Sequence, residues 1–288
     1  MRQTAAVLYS VFKIRIGLAI AITALAGLAV TPGRVVGASE ALLLALSVLG
    51  ASAAAGAFNH LVERDLDARM HRTRTRPFVT GAFRAGWPWG LGILALLCAS
   101  VGLAWWAVNP VAALYVYLGA VFYGYVYTVL LKRRTAWNIV IGGLAGSFAV
   151  LAGAAAVDPT PGPVALALAA TLFLWTPPHF WSLAMALRDD YARAGVPMLP
   201  VVLGNGRAAR VIAAHTVVLV AVSLTPLGLG LGWVYGGCAF AGGALFIAAS
   251  VNLMRRPDRD TALRNFHASL VQLVLVLAGA MIEGFGLV

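Results

Sequence analysis

Asn59, Glu63 and Asp67 stand four residues apart, so on a helix their side chains project from nearly the same face. Two carboxylates and an amide oxygen on one stripe make an oxygen-rich site for a hard divalent cation such as Mg²⁺. Five arginines follow closely: Arg64, Arg69, Arg72, Arg74 and Arg76. Guanidinium forks at this density suit the oxygens of a phosphate or diphosphate. The stretch comes directly after an apolar run, so the chemistry it offers is magnesium–diphosphate binding at a membrane surface. Arginines after a membrane helix also serve as topology anchors with nearby carboxylates as partners. The fixed spacing and a second acidic cluster favour the site over the anchor.

That second cluster begins at Trp175-Thr176-Pro177-Pro178-His179-Phe180-Trp181 and runs on to Asp189-Asp190-Tyr191. Adjacent prolines inside an apolar helix free backbone carbonyls and predict a kink. His179 follows it, and an intramembrane polar residue there is expected to face a cavity.

The elements that must position these groups are membrane helices. The 288 residues are 61% hydrophobic and only 11% charged, with a mean hydropathy of +0.88, which excludes an ordinary soluble domain. Runs of spanning length fall at roughly 8–30, 40–60, 87–108, 110–131, 137–157, 163–187, 209–228, 230–254 and 263–286. The expectation is one all-α membrane domain of nine helices over residues 1–288. With the N-terminus in the cytoplasm, alternation puts every Lys and Arg except Arg34 on the cytoplasmic side, and the C-terminus outside. The net charge of +11 therefore reads as membrane orientation and not as nucleic-acid binding. Five of the ten acidic residues then share one membrane face, in the loops after helices 2 and 6. Two such loops would jointly clamp a metal-bound diphosphate. Cys98 and Cys238 lie in apolar runs without metal-site spacing and read as buried small hydrophobes.

The Asn59–Asp67 stretch resembles the Asn-xxx-Asp-xxx-Asp signature of the UbiA superfamily of intramembrane prenyltransferases. More narrowly, Asp65 to Pro77, Pro178-His179-Phe180-Trp181 and Asp189 to Pro200 are similar to the protoheme IX farnesyltransferases, or heme O synthases. Tyr127-Thr128, Lys132 to Thr135 and Asn138 to Gly143 extend the likeness. The resemblance implies transfer of a farnesyl group from farnesyl diphosphate to a vinyl group of heme b, giving heme O for terminal oxidases. It implies Mg²⁺ held by Asn59, Glu63, Asp67 and Asp190, with these four as the catalytic set. Substrate would be bound by Arg72, Arg76, Lys132, Arg133, Asn138, His179, Asp189 and Tyr191. A bacterial inner membrane with the site facing the cytoplasm is implied, with heme A synthase or terminal-oxidase assembly as further partners. The chain departs from the superfamily in carrying Glu63 where its first aspartate stands, and Asp189-Asp190-Tyr191 in place of a second Asp-xxx-Asp. Ser147 to Val150 also lack the proline that family members usually carry. Two rival readings follow: a UbiA-type enzyme prenylating an aromatic or quinone precursor, and a transporter. The second fits poorly, because charges gather at one face and no internal repeat is apparent.

Overall fold

Helix lengths follow the apolar runs, because in lipid each backbone N–H and C=O must find its partner inside the chain. A computed structural model describes residues 2–287 and contains helices and turns but no strand among them. Eight helices are long and apolar enough to span: α3 (Ala38–Val62), α6 (Trp87–Ala107), α7 (Pro110–Val121) with its continuation to Leu131, α8 (Asn138–Gly142) with α9 (Leu144–Val157), α10 (Pro163–Ala186), α13 (Asn205–Gly228), α14 (Trp233–Arg255) and α15 (Arg259–Gly284). The ninth expected span is broken. Helices α1 (Arg2–Val11) and α2 (Ile14–Ala29) meet at an angle of 52° across Phe12 and Lys13. Lys13 takes the left-handed conformation there (φ 49), which costs a non-glycine residue about 1–2 kcal/mol.

The bundle closes through small residues. A Cβ on Gly27 would lie 2.1 Å from the Val150 carbonyl oxygen, and one on Gly153 would lie 1.7 Å from that of Ala24. Helices α2 and α9 therefore cross almost backbone to backbone, as small-residue interfaces in membranes allow. Trp87, Trp105, Trp106, Trp137 and Trp233 are exposed on the outer surface, as interfacial aromatic belts require.

Helix α10 continues as one helical element through Pro177 and Pro178. The Ser182 hydroxyl donates to the Pro178 carbonyl at 2.6 Å. Cys98 is exposed on the bundle surface and not buried, while Cys238 is half-buried. Residues 122–131 of the third complete span form a π-helix, which nothing in the composition announces. Four short helices lie between the spans: α4 (Arg64–Arg69), α5 (Pro77–Thr80), α11 (Arg188–Arg193) and α12 (Leu199–Leu203). The site is built where these meet the ends of α3, α10 and the π-helix.

Candidate active site

The chain bends at Glu63, between α3 and α4, yet its hydrogen-bond ladder continues. The Glu63 amide donates to Asn59 O at 3.0 Å and the Asp67 amide to Glu63 O at 2.8 Å. The four-residue stripe thus survives the bend, and Asn59, Glu63 and Asp67 are 2%, 1% and 2% exposed.

Each stripe residue is faced by a cation from another segment. Lys13 Nζ donates to Asn59 Oδ1 at 2.6 Å, and Lys132 Nζ to Glu63 Oε2 at 2.5 Å. Arg76 Nη1 donates to both oxygens of Asp67, at 2.8 and 2.7 Å. Asn59 Nδ2 donates to Thr128 Oγ1 at 3.1 Å, which fixes the amide with its oxygen towards Lys13. Thr73 Oγ1 donates to the Asp67 carbonyl at 3.0 Å and helps fold the arginine loop back over the stripe.

The π-helix explains how Lys132 arrives. In an α-helix of 3.6 residues per turn, Lys132 would point away from the face that carries Tyr123. The wider i→i+5 winding, visible in the Lys132 amide donating to Tyr127 O at 2.9 Å, puts Tyr123, Tyr127 and Lys132 on one side. The two tyrosine rings stack at 5.8 Å, and Lys132 Nζ lies 5.8 Å from the Tyr127 ring centroid.

The second loop joins the first through Asp190. Its carboxylate accepts from the backbone N–H of His71 at 3.3 Å and of Arg72 at 3.4 Å, and pairs with Arg193. Burial works to raise the Asp190 pKa, but the two amides and Arg193 outweigh it and hold the group below its ordinary value. Asp190 therefore meets the arginine loop through backbone. No three His, Cys, Asp or Glu side chains converge on one point among the described residues. Asp189 is exposed and Tyr191 buried.

Arg133 forms a two-pronged pair with Asp65, both contacts at 2.7 Å, with both side chains nearly half exposed. Its hydrogen bond to Asp65 lifts the Arg133 pKa, as the same bond lowers that of Asp65. Arg72 is exposed. Asn138 is buried; its Nδ2 donates to Thr135 O at 2.5 Å, and its Oδ1 has no hydrogen-bond partner.

His179 lies deeper, stacked between Trp175 and Phe266 with ring centroids at 4.1 and 4.4 Å. Its Nδ1 is 2.7 Å from Ser269 Oγ, and that hydroxyl donates its one proton to Phe266 O at 2.6 Å. The serine hydroxyl thus holds the ring through Nδ1.

The donor set fits a hard divalent cation. All three stripe side chains offer oxygen, and Glu63 Oε1 is buried without a hydrogen-bond partner, the kind of atom that native interiors seldom leave unsatisfied. One residue central to this arrangement is not legible as a site residue: Lys13, which in the sequence reads as one basic residue at a membrane edge.

A helical membrane bundle with a cation-capped oxygen stripe at one end carries groups able to bind a metal ion and an anion together. The chain belongs to the UbiA prenyltransferase family, whose pattern matches residues 20–275. It is 60% identical over 277 residues to protoheme IX farnesyltransferase 2 of Paramagnetospirillum magneticum, covering 96% of each chain. It is 50% identical to protoheme IX farnesyltransferase 1 of the same organism, covering 92% of this chain and 93% of that one. Among solved structures, the fold resembles a digeranylgeranylglyceryl phosphate synthase with a TM-score of 0.80 at 18% identity, covering 99% of both chains. It also resembles a UbiA homologue from Archaeoglobus fulgidus bound to DMAPP and Mg²⁺, with a TM-score of 0.71 at 17% identity, covering 93% of this chain and 98% of that one. These two likenesses concern the fold.

Proposed function

We propose that this integral membrane enzyme transfers a farnesyl group from farnesyl diphosphate to a vinyl carbon of heme b, with water completing the hydroxyethylfarnesyl group of heme O. The observation that carries the reading is the buried Asn59–Glu63–Asp67 stripe with a cation at each residue and one carboxylate oxygen unpartnered. The near-full-length likeness to protoheme IX farnesyltransferases supports the choice of substrates.

Asn59, Glu63 and Asp67 would hold Mg²⁺, and Asp190 is the carboxylate assigned to a second ion. Held there, Mg²⁺ would neutralise the charge that builds on the departing diphosphate. Arg72, Arg76 and Lys132 contribute charge-assisted hydrogen bonds to the same oxygens, which strengthen as the C–O bond lengthens. Arg133 would close the rim by exchanging Asp65 for a diphosphate oxygen, and exposed Asp189 would serve the same substrate. The stacked Tyr123 and Tyr127 rings present π faces beside the site, where an allylic cation would form. The apolar helices around them exclude bulk water until the acceptor has reacted. Asn138, with its unpartnered Oδ1, Tyr191 and His179 would contact the heme. The gathering of Lys and Arg on one side supports a site facing the cytoplasm, and in this reading the membrane is a bacterial inner membrane.

The test is to incubate the purified protein with heme b, farnesyl diphosphate and Mg²⁺, with and without chelator, and to analyse products by mass. Heme O that disappears with chelator is expected. No heme product, but prenylation of an aromatic acid offered in its place, would move the chain to another acceptor.

A further inference from the structure

Basic residues at the head of a first membrane span ordinarily anchor it at the interface, and exposed Arg15 does so. Lys13 does not. Its left-handed backbone breaks the span, and its half-buried side chain is turned inward across Gly56 of α3. A Cβ on Gly56 would lie 3.3 Å from Lys13 Cβ, Cγ and Cδ, so the glycine leaves the aliphatic stem its path. At the end of that path Nζ meets two oxygens, Asn59 Oδ1 at 2.6 Å and Tyr123 Oη at 2.7 Å, and lies 5.3 Å from the Tyr123 ring centroid. A conformation that L residues rarely adopt, a glycine opposite it and two short hydrogen bonds all direct one ammonium at the metal stripe.

We propose that Lys13 is a positioning residue of the metal site: its ammonium occupies Asn59 Oδ1 until Mg²⁺ and diphosphate arrive together, and then turns to the diphosphate. The proposal rests on the magnesium–diphosphate reading above. A metal ion entering alone must displace the ammonium and leave it beside a like charge with no new partner, which disfavours binding. Diphosphate supplies that partner. Metal and diphosphate therefore favour each other's binding, and by linkage the coupling is the same in both directions. Lys132 and Arg76 stand in the same relation to Glu63 and Asp67, so three cations from three segments would move together.

The test uses the full-length protein in lipid nanodiscs without heme, with Mn²⁺ as the probe followed by electron paramagnetic resonance. Titrations are run with and without farnesyl diphosphate, on wild type, Lys13→Met, Lys13→Gln and Lys13→Arg. Wild type should bind Mn²⁺ weakly alone and more tightly with diphosphate. Lys13→Met should bind Mn²⁺ alone on the order of tenfold more tightly, because a like charge beside the ion is gone. Its affinity for farnesyl diphosphate should fall by a similar factor, and Lys13→Arg should restore the wild-type order. A residue that merely held the bend would not tighten metal binding when lost. Lys13→Gln removes the charge but keeps a hydrogen-bond donor, and gives the same readout should Lys13→Met fail to fold. Mn²⁺ affinity that is unchanged or weaker in a folded neutral variant overturns the role of Lys13 alone. Wild-type Mn²⁺ binding that ignores diphosphate overturns the underlying site reading as well.

Discussion

The two loops that form the site hold their carboxylates in opposite ways. On the α3–α4 stripe, Glu63 and Asp67 are paired with the ends of flexible side chains, and one Glu63 oxygen has no partner. On the α10–α11 loop, Asp190 is held by two backbone amides as well as by Arg193. Side-chain cations can swing away to a new anion, whereas backbone N–H groups move only if the loop moves. The difference teaches which half is poised for exchange with a metal and which half latches the loops together.

The largest effect is expected on the stripe. Asp67→Asn should lower farnesyl transfer by about 10²–10³-fold, the scale for losing one electrostatic contact to the transition state. It should also destabilise the fold, because Arg76, only 18% exposed at its side chain, loses its charged partner. A few kcal/mol is the usual order for a buried pair, less here for the partial exposure. Turnover with chelator-sensitive heme O formation within threefold of wild type would break the comparison.

Asp190→Ala should act differently. Losing two long hydrogen bonds to a carboxylate should cost about 1–2 kcal/mol, seen as a lower melting temperature, and should raise the KM for farnesyl diphosphate more than it lowers kcat. Metal stoichiometry at saturating diphosphate then separates two roles: a fall from two ions to one marks Asp190 as a ligand, and no change marks it as the latch.

The pH dependence sharpens the same point. Because the folded Asp190 pKa lies below its unfolded value of about 3.9, its stabilisation is fully present above that value and is lost as pH falls through the lowered one. Melting curves of wild type should therefore weaken with acid below about pH 4, and this component should be missing from Asp190→Ala. Asp65, also held below its ordinary value, acts in the same direction in both proteins.

The smallest effect belongs to the rim. Arg133→Ala breaks an exposed pair with Asp65 that is worth about 0.2–1 kcal/mol. It should change the melting temperature little and raise the KM for farnesyl diphosphate modestly. A loss as large as that of Asp67→Asn would move Arg133 into the centre of the site.

The stripe was legible because i, i+4 spacing is a local property: Asn59, Glu63 and Asp67 share a face wherever a helix forms, and the ladder through Glu63 kept it. The spans were legible from hydropathy, with boundaries shifted by a few residues. The partners were not legible. Lys132 reaches Glu63 only because residues 122–131 wind as a π-helix, and Lys13 reaches Asn59 only because its backbone is left-handed. Both features depend on packing between segments far apart in sequence. The backbone N–H groups of residues 71 and 72 that hold Asp190 were hidden for the same reason, since nothing local in the sequence brings the two loops together.

The most direct measurement is an anomalous difference map from crystals of the protein grown with Mn²⁺ and a non-hydrolysable farnesyl diphosphate analogue. The account predicts a peak within about 2.5 Å of oxygens from Asn59, Glu63 and Asp67, with Lys13, Lys132 and Arg76 turned to the diphosphate. A well-occupied peak elsewhere, with the three cations still on the stripe, would contradict it.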